Sequence, residues 1–354
     1  MKILHTADIH LKEYGDDRWK TLQKLIDIAK KEKIDVFAIC GDLFDRGVDA
    51  EKLRPQIREL FSGHKFKILL ISGNHDQDSY RGGLSFGENV QVVTDVREPY
   101  INQDVCIWGL PFEPIRGEKI ISKLHCLAGM LSSGKKNILL FHGELLDVFF
   151  DRRDFGEEGD ERYMPVKLAY FKDTALDYVL AGHFHSCFDI RKINSRGYFV
   201  YPGSPVSITK RETGRRKANL FKLGEPPQEY PLDTPYYEDV VVEFDPLKDQ
   251  KPLELIKERV AGLPPEAKLL LTVKGFFNGE IAGITEEILI KKINKLVEKK
   301  SAGSPVYLFK DIRVILEDDL LKNFKQKLDR MSLDDAQKKK MFDIALQAMM
   351  GAAS

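Results

Sequence analysis

Five short polar segments of the chain are built from residues able to ligate a metal ion. They are Asp8-Ile9-His10, Gly41-Asp42-Leu43-Phe44-Asp45-Arg46-Gly47, Gly73-Asn74-His75-Asp76, His142-Gly143 and Gly182-His183-Phe184-His185. Carboxylate, imidazole and amide oxygen form the donor mixture suited to divalent manganese, iron or zinc. If the chain stays extended, Asp8 and His10 point the same way, as do His183 and His185, because side chains alternate faces. The glycines permit the tight turns that would bring backbone and side chains inward. Any single segment is a weak signal, since a lone histidine is commonly a hydrogen-bonded core residue. Five of the eight histidines fall in these segments, and that conjunction points to a metal centre.

The elements that must position these residues are legible as apolar runs. Strands are expected at 2–7, 34–40, 66–71, 137–141 and 177–181, and Asp8, Asp42, Asn74, His142 and His183 each lie just past one of them. Further strands are expected at 105–109, 188–193 and 197–201. Trp19, Leu22, Leu25, Ile26 and Ala29 have the spacing of an amphipathic helix over 17–33, and a second helix is expected at 49–61. Strand–helix–strand alternation predicts an α/β layered fold. In such sheets ligands gather beyond the strand carboxyl ends, so five distant segments would share one rim.

Composition shifts at Gly224-Glu225-Pro226-Pro227, with Pro231 and Pro235 following, which reads as a linker after a first domain over 1–224. Strands at 240–244, 269–273 and 306–309 with helices at 253–260 and 286–299 predict a small α+β domain over 232–315. A helical pair is expected over 318–350. Leu320, Leu321, Phe324 and Leu328 would line its first helix, and Met341, Ile344, Ala345 and Ala348 the second, which Ser332 and Asp335 would open as a capping box.

The chain has 354 residues, 43% of them apolar and 31% charged, which describes a folded chain of more than one domain. No apolar run approaches the ~18–20 residues of a membrane span. The opening reaches Asp8 too soon for a secretory leader, and four sparse cysteines form no disulfide scaffold, so a reduced, cytoplasmic protein is expected. With 55 basic and 55 acidic residues there is no chain-wide basic coat. A polyanionic ligand would have to be met by local charge or bound metal.

In order and spacing, these segments resemble the calcineurin-like metallophosphoesterase superfamily. The resemblance implies a four-layer α/β/β/α sandwich holding two divalent ions. Carried over by position, one ion would take Asp8, His10 and His185, the other Asn74, His142 and His183, with Asp42 bridging. Two such ions can lower the pKa of a water and clamp a phosphoryl group for in-line attack. His75 would then stabilise the transition state or protonate the leaving oxygen, or else only shape its loop. Asp45 would pair with His75 or cap the following helix, and Asp76 is a weaker candidate for that pairing.

Gly-Asp-x-x-Asp-Arg-Gly at 41–47 is also found in protein Ser/Thr phosphatases, where the arginine grips phosphate, but Asp76 and Gly-His-x-His at 182–185 depart from their pattern. Residues 1–11 and Tyr201-Pro202-Gly203-Ser204-Pro205 instead resemble the double-strand-break repair nucleases of the SbcD and meiotic-recombination type. Asp45 matches the bacterial branch, since the archaeal and eukaryotic branch has histidine there. That resemblance implies a manganese-dependent DNA exonuclease and endonuclease working as a homodimer. Residues 232–315 would cap DNA, and 318–350 would dock an SbcC-type coiled-coil ATPase. The rivals are a phosphoesterase acting on cyclic nucleotides or other small phosphodiesters, and a non-catalytic scaffold.

Arg46 would meet phosphate or stand solvated at a helix start. Lys210, Arg211, Arg215, Arg216 and Lys217 would form a phosphate track or a solvated hairpin. Cys40 and Cys187 are expected to be buried, and His5, His64 and His125 have no motif context.

Overall fold

The structure is a computed structural model, and it describes residues 1–80, 85–147, 163–246, 249–312 and 319–353. The chain divides into two compact units, Met1–Tyr237 and Glu238–Ser354.

The first unit contains two six-stranded sheets. Its strands are β1 (Lys2–Thr6), β2 (Val36–Cys40), β3 (Lys67–Ile71), β4 (Val90–Val92), β5 (Tyr100–Ile101), β6 (Val105–Leu110), β7 (Lys136–His142), β8 (Tyr178–Gly182), β9 (Asp189–Lys192), β10 (Tyr198–Tyr201), β11 (Lys217–Lys222) and β12 (Glu229–Pro231). One sheet has the order β12-β11-β1-β2-β3-β4, and the other β5-β6-β7-β8-β10-β9. β1, β2 and β3 run parallel, as do β6, β7 and β8. Strands such as Val-Phe-Ala-Ile-Cys at β2 are buried throughout, the signature of parallel strands covered on both faces.

Alternation along each strand divides its side chains between two cores. Ile3, Val36, Ala38, Leu69 and Ile71 of one sheet meet Val105, Ile107, Ile138, Leu140 and Leu180 of the other. The outer face of the first sheet packs Leu4, Phe37, Ile39 and Leu70 against helices α1 (Asp17–Lys31) and α2 (Gly47–Phe61). The outer face of the second packs Leu139, Phe141, Val179 and Phe199 against α3 (Glu118–Met130). The result is the expected four-layer α/β/β/α sandwich. α1 presents Trp19, Leu22, Leu25, Ile26 and Ala29 to the core at helical spacing. Asp16 caps its start by accepting from the Trp19 N–H at 2.7 Å, and Lys30 and Lys31 sit at the negative end of its dipole.

The segment expected as linker is in part sheet. β12 pairs antiparallel with β11, which pairs antiparallel with β1. The Leu232 N–H donates to the Arg216 carbonyl at 2.9 Å and the Thr234 hydroxyl to Pro205 at 2.6 Å, so prolines here end strands and do not release the chain.

The second unit has a three-stranded sheet in the order β13-β14-β15, from β13 (Tyr236–Phe244), β14 (Ala267–Phe277) and β15 (Val306–Asp311). Val242, Phe244, Leu269, Leu271, Val273 and Phe309 pack against Ile256 and Val260 of helix Pro252–Ala261 and Leu289, Ile293 and Val297 of helix Glu286–Val297. Helices Asp319–Asp329 and Asp335–Ala353 follow, while residue 318 of the expected 318–350 segment, and 313–315 of the expected 232–315 domain, lie outside the described residues.

The buried face of the second of these helices differs from the expected one. Phe342 and Leu346 pack with Leu321, Leu328 and Ile312, whereas Met341 and Ile344 face solvent, as does Leu320. The cap also shifts by two residues. Asp334 Oδ1 accepts from the Gln337 N–H at 2.7 Å while Gln337 Oε1 accepts from the Asp334 N–H, so the reciprocal pair is Asp334 with Gln337 and not Ser332 with Asp335. Among the described residues no helix is long and apolar enough to cross a membrane.

Candidate metal centre

β1, β2 and β3 of one sheet and β7 and β8 of the other end at a common rim. Asp8, Asp42, Asn74, His142 and His183 stand at those ends. The chain does not leave β1 or β8 extended. Asp8, His10, Asp42 and His183 all have positive φ, at 56°, 52°, 50° and 98°. Left-handed backbone at non-glycine residues is strained and clusters at functional sites. Here it is enforced by a ladder between the first two loops. The Asp8 N–H donates to Gly41 O at 3.1 Å, the Ile9 and His10 N–H groups both donate to Asp42 O at 2.9 Å, and Leu11 donates to Leu43 O at 2.9 Å. Asp8 and His10 therefore meet through two left-handed residues, not through strand alternation. The His183 N–H in turn donates to both Asp8 oxygens at 3.0 Å, which joins the two sheets across the site.

Three motif glycines provide the room. A Cβ at Gly41 would strike the His142 ring, one at Gly73 the Asp42 carboxylate, and one at Gly182 the Cys40 carbonyl before Ala7 and His142. At Gly41 and Gly73 the space next to one loop's glycine is filled by a ligand-competent side chain from another loop.

Three overlapping groups of donors converge: Asp8, His10 and His185; His10, Asp42 and His75; and Asp8, Asp42 and His142, with the ligand atoms of each group within 4.8 Å of one another. Asp42 Oδ2 lies 3.4 Å from His142 Nε2 and 3.7 Å from His10 Nε2, and His185 Nε2 is 3.7 Å from Asp8 Oδ1. His142 Nδ1 is 2.9 Å from the Cys40 carbonyl, so Nε2 is turned towards Asn74 Oδ1, also at 2.9 Å. His183 packs edge-on against His142 with ring centres 5.4 Å apart.

Asp8, Asp42, His10, His142, His183 and His185 are all buried. Burial pushes the Asp8 carboxyl up and the His10 imidazole down, each disfavouring the charged form. At Asp42 burial acts in the same sense but the surrounding imidazoles, His142 foremost with His10 and His75, together outweigh it and hold Asp42 well below the usual carboxylate range. The reciprocal effect, against burial, raises His142 to about 10. Asp42 Oδ2 is buried and makes no hydrogen bond of ordinary geometry. Two buried carboxylates, one with an orphaned oxygen, among imidazoles and an amide fit divalent cations standing where protons otherwise balance the charge. Asp8, His10 and His185 would hold one ion, Asn74, His142 and His183 a second, and Asp42 would reach both.

His75 stands beside this cluster, half-buried, its ring 4.7 Å from that of His10. Its Nδ1 is 3.2 Å from the backbone carbonyl of Asp45, not its carboxylate. The carboxylate instead faces His10 Nδ1 at 3.6 Å and the cations Arg18 at 3.2 Å and Lys12 at 3.1 Å, because the loop turns its side chain towards them. Asp45 thus positions His75 through its main chain and His10 through its side chain. Asp76 does not act on His75 in this way. It is fully buried, accepting from the N–H groups of Gly73 (2.8 Å), Leu43 (2.9 Å) and Phe44 (3.3 Å) and the Tyr80 hydroxyl (2.7 Å), which ties the loops after β2 and β3 together. Burial and the nearby Asp42 raise it to about 6.

The basic run is divided. Lys210 and Arg211 are exposed, Arg215 pairs with Asp233, and Lys217 pairs with Glu229 at 2.5 Å. Arg216 is no surface cation: it is 3% exposed and donates to the Ser204 and Ser186 carbonyls at 2.9 Å and to the His185 carbonyl. A phosphate track through Arg216 is ruled out by that burial. Arg46, at the start of α2, is exposed, with Nε 3.5 Å from Asp49. Cys40 is buried as expected, but Cys187 is exposed because the chain turns outward after His185. Glu212 carried no motif and was not anticipated. It is 1% exposed, and its Oε1 lies 3.6 Å from His185 Nδ1.

Residues 1–187 match the calcineurin-like phosphoesterase family, which is more than half of the chain. Among solved structures the chain is similar to TT1561 of Thermus thermophilus, at 15% identity over 61% of this chain and 92% of that one, with a TM-score of 0.41. It is also similar to a dimetal phosphatase from Danio rerio, at 9% identity over 62% of this chain and 91% of that one, with a TM-score of 0.42. With the sandwich, the strand-end donors and the extent of that match all in place, the chain belongs to the calcineurin-like phosphoesterase family.

Proposed function

We propose that this chain is a manganese-dependent DNA nuclease that hydrolyses phosphodiester bonds, as exonuclease and endonuclease, in double-strand-break repair. In that reading it is the nuclease subunit of a complex with an SbcC-type coiled-coil ATPase and works as a cytoplasmic homodimer. The observation that carries the phosphoesterase chemistry is the convergence of donors from five strand ends in overlapping groups around Asp8, His10 and Asp42. When bound, two divalent ions would supply the activated water and the charge that neutralises the phosphate. Asp8, Asp42, Asn74, His10, His142, His183 and His185 would hold those ions. His75, with Nδ1 turned to the Asp45 carbonyl, carries the exchanged proton on Nε2 and delivers it to the departing sugar oxygen.

DNA as substrate is supported by the likeness of residues 1–11 and 201–205 to the SbcD type, and by a second folded unit beyond the sandwich. Lys210 and Arg211 are the exposed cations nearest in sequence to Glu212 and contact the DNA backbone, with Arg46 gripping phosphate at the start of α2. Arg215, paired with Asp233, has a smaller part. Docking of the ATPase through the C-terminal helices is supported by Leu320 and Ile344, 69% and 56% exposed on helices whose other faces are packed.

The test incubates the full chain with single- and double-stranded DNA and with bis-p-nitrophenyl phosphate, in Mn²⁺ and in chelator. Manganese-dependent DNA cleavage that Asp42→Ala abolishes is expected. Small-ester turnover without DNA cleavage overturns the nuclease reading. Deleting residues from 318 onward removes co-purification with the ATPase subunit and leaves cleavage intact; a truncated chain that still co-purifies refutes the docking assignment.

A further inference from the structure

The loop after β10 places a buried carboxylate directly behind one member of the metal centre. Glu212 Oε2 accepts from the Ser204 hydroxyl at 2.9 Å and the Ile208 N–H at 2.8 Å, and Oε1 accepts from the N–H and hydroxyl of Thr209, both at 3.1 Å. These contacts leave the carboxylate with a single position, and in that position Oε1 faces His185 Nδ1 at 3.6 Å. The other ring nitrogen, Nε2, points the opposite way, to Asp8 Oδ1 at 3.7 Å and His10 Nε2 at 3.4 Å. Arg216 closes the arrangement by donating to the carbonyls of Ser204, Ser186 and His185, which fixes the backbone that carries the imidazole.

We infer that Glu212 is the positioning residue for His185. Its charge beside Nδ1 favours a proton there and a ring orientation that would present Nε2 to a cation held with Asp8 and His10. Carboxylates behind ligating histidines set tautomer and basicity, and their loss typically weakens metal binding about 10–100-fold. A turn fastener would do none of this. The carboxylate could satisfy Ile208 and Thr209 on an exposed loop, yet it is buried against the imidazole with an arginine beside it. The effect should be confined to one of two ions, since His142 takes its orientation from the Cys40 carbonyl instead. This inference rests on the metal-dependent phosphoesterase reading.

The test is a manganese titration of the full chain, followed by calorimetry and by the electron paramagnetic resonance signal of free Mn²⁺. Wild type is expected to bind two ions. Glu212→Gln, which keeps the shape, is expected to weaken one ion about tenfold or more and leave the other unchanged. The weakened ion is the one that His185→Ala loses and His142→Ala retains. Thr209→Val, which removes a Glu212 contact without touching His185, is expected to leave both affinities unchanged. Two ions bound by Glu212→Gln with wild-type affinity, or an equal loss at both sites, overturn the inference and leave the metal reading standing. A wild-type chain that binds no divalent ion overturns both. If Glu212→Gln does not fold, Glu212→Asp, which withdraws the charge by one methylene, is read in the same titration against the same two outcomes.

Discussion

His5 offers a prediction whose size follows from burial alone. It lies in β1 with no exposed surface, its Nδ1 3.4 Å from the Asn219 amide across the β1–β11 pair. Burial pushes its imidazole from the ordinary 6.5 down to about 3, against a smaller opposing contribution from the Ala181 backbone. The folded chain therefore keeps His5 neutral where the unfolded chain takes up a proton. Its stabilising contribution is complete above 6.5 and is lost progressively as pH falls from 6.5 towards 3. Relative to about pH 7.5, the linkage amounts to roughly 1.4 kcal/mol at about pH 5.5. The two tryptophans, Trp19 and Trp108, both lie in the first unit, so fluorescence during urea unfolding reads that unit by itself. Wild type and His5→Gln, both metal-free, would be unfolded at the two pH values. Wild type should lose on the order of 1 kcal/mol more than the variant on acidification. Equal losses would show that His5 is protonated in the folded chain, and the reasoning from burial would fail.

Other consequences are equally direct. His75→Asn should lower kcat by about 10²–10⁴ while two manganese ions still bind, as turnover of bis-p-nitrophenyl phosphate and a metal titration would report; unchanged turnover would remove His75 from proton delivery. Gly73→Ala drives a methyl into the Asp42 carboxylate and should cost metal affinity as well as stability, visible as a lower melting temperature that added Mn²⁺ no longer raises. Leu346→Ala empties a fully buried site and should cost about 2–5 kcal/mol of the second unit's stability, whereas Ile344→Ser, at an exposed position, should change it by about 0.5 kcal/mol or less; circular dichroism melts separate the two.

The parts of the fold legible in the sequence were those with a period or a run. β2 and β8 are buried at every position because both faces are covered, and α1 repeats at helical spacing. β4 and β5 are short and half-exposed, and carry no such run. α3 begins just after Gly117, which has positive φ and offers no side-chain cap, so its start carries no signal. The five loops that meet at the centre were readable because each lies where an apolar run stops. The means of their meeting was not readable, since the left-handed turns at Asp8 and Asp42 are set by hydrogen bonds between loops about 33 residues apart. Arg216 and Lys210 look alike in a charge pattern. The nearby carbonyls of His185, Ser186 and Ser204, which need donors, and the buried Glu212 carboxylate draw Arg216 inside. Glu212 becomes visible only when its turn is folded against His185.

The pairing of β1 with β11 has a consequence for biosynthesis. During synthesis β1 finds its neighbour β11 only after roughly 210 further residues have been made. At ~5–20 residues per second that interval is on the order of ten to forty seconds. Throughout it β1 displays an unclaimed strand border, a template for association with other chains. Stalled or prematurely terminated products that stop short of Lys217 should therefore be the aggregating species in cells that make this protein, and a chaperone that shields the emerging β1 would raise its yield more than one that acts on the finished chain.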